Sequence, residues 1–370
     1  MAGIYFHIPF CKKLCNYCDF YHSVKLQFLP HVIEAMHAEL AEGKNFLTDH
    51  KIRTIYFGGG TPSLVSPQIL QAFIEQATQL FDCSEVTEIT AELNPDDVTD
   101  EYIEALRHTT INRVSLGVQS LCDEELQFMG RRHSAAQAVE AVRKLQNAGF
   151  DNISVDVIFG VEGFGEDILS KTLEGVIAMG VQHISAYHLT IEEGTAFGRQ
   201  LAKGLMHHVE DSRSEAEFAL VHKMLTEAGF DHYEVSNFAL PNKRSKHNSS
   251  YWTGDEYLGV GPGAHSFAGD MRRWCDQRIE EYIKGVAYGT ETLSDRDAYN
   301  EYIMTSLRCA EGISLDFIEE RFGSQMRAKT EQAAVQFTAS GWLEAKSGRL
   351  KIPAERFLIS DAVISTLFEV

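Results

Sequence analysis

Six apolar runs recur through the first 240 residues, and segments with helix signals separate them. They are GIYFHIP (3–9), TIYFGG (54–59), EITAEL (88–93), RVSLGVQS (113–120), ISVDVIFG (153–160) and HISAYHL (183–189). They read as mostly continuous apolar stretches rather than strict alternations, as expected of strands covered on both faces. Between them, Ser66 followed by Pro67 reads as an N-cap and first helical residue, with Ile69, Leu70, Phe73, Ala77 and Leu80 on one face. Ser134 with Gln137, and Ser214 with Glu217, read as capping boxes. LQNAGF (145–150) and LTEAGF (225–230) end alike, with Gly149 and Gly229 just past a helix. This alternation predicts an α/β fold, a parallel partial (β/α)6-type barrel. In such folds reactive groups gather at the C-terminal ends of the strands.

The barrel accounts for residues 1–235. Residues 236–291 are less regular, rich in Gly, Asn, Ser and Trp, and read as a connecting region. Residues 292–370 read as a small, mainly helical α+β domain, winged-helix-like, with a hairpin around Ser347 and Gly348. A formal charge of −20 argues against a nucleic-acid partner, which needs a basic face. The first residues lack a basic n-region, and no stretch reaches the roughly 18 apolar residues of a membrane span. Seven cysteines, an odd number in a chain of 370 residues, suit a reducing compartment. The expectation is a cytoplasmic protein.

Three of those cysteines, Cys11, Cys15 and Cys18, stand close together directly after the first predicted strand, in CKKLCNYC. Thiolates in a C-x3-C-x2-C loop can converge on a polynuclear site, and Cys₄ is the usual ligation of a [4Fe-4S] cluster. Three ligands would leave one iron open to a small molecule. The alternative is a zinc ion completed by a distant Cys or His, although no second C-x2-C knuckle exists in the chain.

Further polar residues fall at strand ends. GGGTPSL (58–64) closes the second run and is no P-loop, since no Gly-Lys-Ser/Thr follows. Glu92 lies in AELNPD, Gln119 in SLGVQS, Asp156 in ISVDVIFG and Arg131 in MGRRHS. An acid inside an apolar strand costs several kcal/mol unless it is paired, so Asp156 is expected to have a partner, either a bound ligand or, in the structural alternative, an arginine.

The cysteine spacing, with Tyr17 before the last cysteine, resembles the signature of the radical S-adenosylmethionine (SAM) superfamily. FHIPFCxxxCxYC, YFGGGTPS, ELNP, SLGVQS and ISVDVIFG further resemble, in order and spacing, the oxygen-independent coproporphyrinogen III oxidase family. The resemblance covers essentially the whole chain. It implies a radical SAM barrel and a C-terminal HemN-like domain. It also implies a [4Fe-4S] cluster on Cys11, Cys15 and Cys18, with SAM at the open iron. By position, Tyr5, Tyr17, Gly59, Gly60, Thr61, Glu92, Gln119, Arg131, Asp156 and Thr190 correspond to SAM-contacting residues. In that family some of these contacts belong to a second SAM.

Two departures point away from oxidation. The oxidase carries a fourth cysteine, C-x3-C-x2-C-x-C, where this chain has Phe20, and an N-terminal extension ahead of the cluster. HNSSYW (247–252) matches the HNxxY signature of the HemW-type haem chaperones, and YLGVGPGAHS (257–266) resembles the same branch. Imidazole is a common axial ligand to haem iron. The resemblance therefore implies haem as cargo, bound by His247 and Tyr251, with His247 exposed near the barrel opening. It further implies delivery to apo-haemoproteins such as respiratory enzymes, contact with the inner membrane, and a homodimer among the roles open to the cluster. No catalytic residue follows from it. The alternatives are a coproporphyrinogen III dehydrogenase, in which a deoxyadenosyl radical starts propionate decarboxylation, or a radical SAM enzyme with another substrate.

Overall fold

A computed structural model describes residues 2–369. The six runs form β1 (Ala2–Ile8), β2 (Ile52–Gly59), β3 (Glu88–Leu93), β4 (Arg113–Gln119), β5 (Ile153–Phe159) and β6 (His183–His188), each neighbour pair parallel and in chain order. Their crossovers are α1 (Leu29–Glu42), α2 (Pro67–Leu80), α3 (Asp100–Arg107), the pair α4 (Asp123–Phe128) and α5 (Ala135–Asn147), and α6 (Glu166–Ala178). After β6 come α7 (Ala196–Leu201) and α8 (Asp211–Glu227).

The strands alternate more strictly than their composition suggests. Ile4, Phe6 and Ile8 of β1, Ile89, Ala91 and Leu93 of β3, and Val114, Leu116 and Val118 of β4 all join the main apolar core. Phe6 stacks on Phe57 at 4.8 Å and packs against Phe73 of α2 at 4.9 Å. The residues between them on β3 to β6 are Thr90 and Glu92, Arg113 and Ser115, Ser154 and Asp156, His183 and Ser185. These polar side chains share the opposite face, which is the barrel interior. The strands are covered on both faces, as expected, but the outer face is oily while the inner face of β3 to β6 carries these polar groups.

Ser66 is the N-cap of α2, and the box of Ser134 and Gln137 opens α5. Gly149 and Gly229 follow α5 and α8 at φ 95° and 90°, the left-handed helix stop that glycine takes without penalty. The box read at Ser214 is absent. The helix α8 begins at Asp211 with Glu210 as N-cap, so Ser214 lies inside it and bonds His188 Nε2 at 2.9 Å. Glu217 accepts from the Gly160 amide at 2.8 Å and from Arg213 Nε at 2.6 Å.

Residues 231–292 continue the sheet, so the region read as a connection contributes strands to it. The strands β7 (Asp231–Glu234) and β8 (Asn237–Ala239) add to β6, while β9 (Glu256–Val260), β10 (His265–Ala268), β11 (Met271–Trp274) and β12 (Gly289–Thr292) add to β1. The order is β12-β11-β10-β9-β1-β2-β3-β4-β5-β6-β8-β7, an open barrel with extended edges. The helix α9 (Lys246–Thr253) packs at the N-terminal ends of β1, β2 and β3, and α10 (Ile279–Tyr282) precedes β12. Beyond Ser294 lie α11 (Asp295–Leu307), β13 (Ile313–Ser314), α12 (Leu315–Phe322), α13 (Ser324–Ala339), β14 (Glu344–Lys346), β15 (Arg349–Lys351) and α14 (Ser360–Thr366). The hairpin β14–β15 turns at Ser347 and Gly348, φ 51° and 73°, the signature of a type I′ turn. Among the described residues, no helix is long and apolar enough to cross a membrane.

Candidate functional site

The loop after β1 is held at several points. Cys11 N donates to Ser23 O and Ser23 N to Pro9 O, at 2.9 and 2.7 Å. Asn16 clamps the middle: its amide donates to Met129 O, its side chain to Phe128 O, and its carbonyl accepts from Phe197 N. Tyr17 packs on the second apolar cluster, around Leu126, Met129 and Phe197. A sequence of polar and aromatic residues thus becomes a fixed loop by docking on α4 and α7.

Cys11, Cys15 and Cys18 line one cavity of about 540 Å³ at the C-terminal ends of the strands. Tyr17, Gly59, Gly60, Thr61, Glu92, Gln119, Arg131, Asp156 and Thr190 line it as well. Tyr5 does not. Its ring lies deeper, against His7, Tyr56 and His247. The Nε2–H of His7 donates to Tyr21 O at 2.9 Å, so its Nδ1 accepts from the Tyr5 hydroxyl at 3.1 Å.

Cys11 and Cys15 each accept a hydrogen bond from a polar side chain. Thr61 Oγ1 donates to Cys11 Sγ, and Arg131 Nη1 to Cys15 Sγ, both at 3.4 Å. Arg131 Nη2 also reaches Asn94 Oδ1 at 2.8 Å and Gly117 O at 2.7 Å, and Asn94 Nδ2 donates to Thr61 Oγ1 at 3.2 Å. Asn94 therefore ties the arginine to the threonine. Its role went unread, although it stands in the same ELNP segment as Glu92. Burial pushes the Cys18 thiol up to about 11 and that of Cys11 upward as well, so loading a metal must displace their protons. Among the described residues, no three His, Cys, Asp or Glu side chains close on a single ion. All three thiols line the same cavity.

The glycines fit this arrangement. A Cβ on Gly60 would meet Phe10 O at 2.7 Å, and one on Gly117 would meet Gln119 Nε2 at 2.9 Å and Arg131 Nη2 at 3.0 Å. Gln119 itself has φ 67°, is buried, and leaves Oε1 without a partner. Strain and an orphan acceptor at a cavity wall are features that functional sites retain.

Glu92 and Asp156 are among the acids that line the cavity. Burial raises Glu92 to about 7, against the hydrogen bond that Tyr56 Oη donates to its Oε1 at 2.8 Å. Burial raises Asp156 to about 6, countered by the Ser185 hydroxyl and by the charges of Arg113 and Arg131. Asp156 is thus held by a hydroxyl, with two arginines acting at longer range.

His247 and Tyr251 lie elsewhere. His247 is 0% exposed on α9, with Nδ1 bonded to Thr54 Oγ1 and Nε2 to Tyr251 Oη, both at 2.8 Å. Its ring stacks on Tyr56 at 5.0 Å. The exposure expected of a haem ligand is corrected. Both ring nitrogens are satisfied internally, and the bare Gly3 backbone lets the ring sink against β1. By contrast, Phe20 is 71% exposed and lines the mouth of the cavity with His22.

With this geometry in view, the radical SAM superfamily pattern matches residues 5–175 and the HemN C-terminal domain pattern matches residues 293–357. The haem chaperone HemW of Lactococcus lactis is 34% identical over 86% of this chain and 84% of its own length. This chain belongs to the HemW family. A second HemW, from Mycobacterium tuberculosis, is 32% identical over 99% of this chain and 94% of its own. Coproporphyrinogen III oxidase (HemN) from Escherichia coli shares the fold, with a TM-score of 0.83 at 18% identity over 99% of this chain and 90% of its own. In this HemW-family chain, the superfamily match falls on the barrel and the HemN C-terminal match on the helices and strands after β12.

Proposed function

We propose that this protein is a haem chaperone that carries a [4Fe-4S] cluster and SAM in the barrel cavity and hands haem to apo-haemoproteins. The observation that carries the reading is the match to proteins named haem chaperone HemW over up to 99% of the chain. Phe20, where an oxidase would have a fourth cysteine, supports it over porphyrinogen oxidation.

Cys11, Cys15 and Cys18 would hold the cluster, with Arg131 and Thr61 donating to the sulfurs of Cys15 and Cys11. When bound, the cluster supplies electron-transfer chemistry and an open iron for SAM. Glu92, Gln119 and Asp156 would accept hydrogen bonds from SAM or balance its positive charge, while the Gly59–Thr61 turn lets backbone approach. Recipients such as respiratory haem enzymes would bring the protein to the inner membrane as a peripheral visitor.

Anaerobic reconstitution tests the reading. The loaded protein should bind haem with a defined Soret band and pass it to an apo-haemoprotein. It should leave coproporphyrinogen III unchanged, and conversion to protoporphyrinogen IX would overturn the chaperone reading. Replacing all three cluster cysteines with serine should abolish the iron–sulfur absorbance, and zinc in the wild type would refute the cluster.

A further inference from the structure

The HNxxY segment has a connection that its residue types alone do not suggest. The helix α9 is pinned across the barrel floor by one carboxylate: Glu88, 2% exposed, accepts from the amides of His247 at 2.9 Å and Lys246 at 3.0 Å. His247 projects from that helix into the interior and ends there. Thr54 and Tyr251 take its two nitrogens, and Tyr56 lies against its face, the rings inclined by 25°. Tyr56 then donates to Oε1 of Glu92, which lines the cavity. The contact is tight. A Cβ on Gly58 would meet Tyr5 at 2.9 Å and both Tyr56 and Glu92 Oε1 at 3.0 Å. Turning Glu92 would break its hydrogen bond to Tyr56, and Tyr56 rests on His247.

We infer that His247, buttressed by Tyr251, is a positioning residue that fixes Glu92 through Tyr56, rather than an axial ligand to haem iron. This rests on the reading that Glu92 faces SAM. A ligand role would require the ring to give up a hydrogen bond and α9 to leave the floor, exposing the ends of Glu88 and Thr54. The positioning role requires no movement.

The pH dependence of SAM binding reports on this path. Groups facing Glu92 are Tyr5 from β1, Tyr56 from β2, Arg113 from β4, Asp156 from β5, Tyr187 from β6 and Tyr251 from α9. Of these, Tyr56 holds the carboxylate by a hydrogen bond that favours its ionised form. Loosening Tyr56 should move the ionisation of Glu92 to higher pH, so affinity for the cationic ligand is lost chiefly near and below neutrality.

The experiment measures SAM affinity of the anaerobically reconstituted protein at pH 6.5, 7.5 and 8.5, for wild type, Glu92→Gln, Tyr56→Phe, His247→Ala and His247→Ala/Glu92→Gln. Glu92→Gln should weaken SAM about ten-fold at pH 8.5, as for a lost hydrogen bond to a charged group. Tyr56→Phe and His247→Ala should each weaken it several-fold at pH 6.5 and little at pH 8.5. The double variant should bind no worse than Glu92→Gln alone, which a purely structural defect would not produce. Haem bound to His247→Ala should keep the wild-type Soret position. Additive losses, pH-independent losses, or a shifted Soret band would overturn the inference. Wild-type affinity in Glu92→Gln would instead refute Glu92 as a SAM contact. Should His247→Ala fail to fold, His247→Gln, which fills the site without a ring against Tyr56, carries the same test.

Discussion

A methyl group on Gly60 would sit 2.7 Å from the carbonyl oxygen and 2.9 Å from the nitrogen of Phe10. Neither can swing aside as a side chain could, and Gly60 N already donates to Ile8 O at 2.9 Å. The end of β2 is thereby pressed onto the root of the cysteine loop. Gly60→Ala should force the two apart, costing about 1–3 kcal/mol and lowering iron–sulfur absorbance after reconstitution. Gly165, with nothing near its missing Cβ, is the control. Gly165→Ala should cost under about 1 kcal/mol and load a full cluster. Equal loading in both would show that the glycine turn does not support the loop. A run of three glycines is legible in the sequence as a place where backbone must come close. Which backbone is not, because Phe10 arrives from another strand.

At the scale of elements, what was legible followed from periodicity and caps. The six strands, the Ser134 box and the Ser347–Gly348 turn rest on local residue types, and local structure obeyed them. The box at Ser214 misled because α8 starts a turn earlier, where Glu210 and the bond from Ser214 to His188 set the boundary. The strands β9 to β12 were illegible because they are short, with Gly and Arg among few apolar residues, and gain their order from pairing on the β1 edge. The burial of His247 was equally hidden. HNSSYW is mostly polar, and the groups that hold it on the barrel floor, Glu88, Thr54 and Tyr56, lie far away in sequence. Glu88→Gln keeps the shape and removes the charge that meets the start of α9. It should destabilise the protein by about 1–2 kcal/mol. Hydrogen exchange should quicken in residues 246–253 before the β3–β4 pairing loosens. Uniform loss of protection across both would mean that α9 is not separately anchored.

For the whole molecule, the polar barrel interior sets two opposed responses to pH. Burial depresses His247 to about 3 and raises Glu92 to about 7. The stability that comes from keeping His247 neutral is present above its unfolded value of about 6.5 and is lost as pH falls towards 3. For Glu92 the sign reverses: its contribution is present below its unfolded value of about 4.3 and is lost as pH rises through 7. Two nearly isosteric substitutions separate these effects in the SAM-free protein. Glu92→Gln should match wild type near pH 4.5 and gain stability as pH rises, by about 1–3 kcal/mol at pH 8.5, the lower figure allowing for water in the cavity. His247→Gln should be least favourable relative to wild type at pH 8, where its lost hydrogen bonds count in full. That deficit should shrink as the medium is acidified below pH 6, because the variant has no buried imidazole to protonate. Thermal unfolding midpoints of both variants against wild type, from pH 4.5 to 8.5, give the two curves. Parallel curves would mean that neither group titrates with folding, and the barrel would then hold enough water to screen both. Opposite slopes would locate a retained cost in the very acid that faces the cofactor cavity, a carboxylate kept because binding a cationic ligand relieves it.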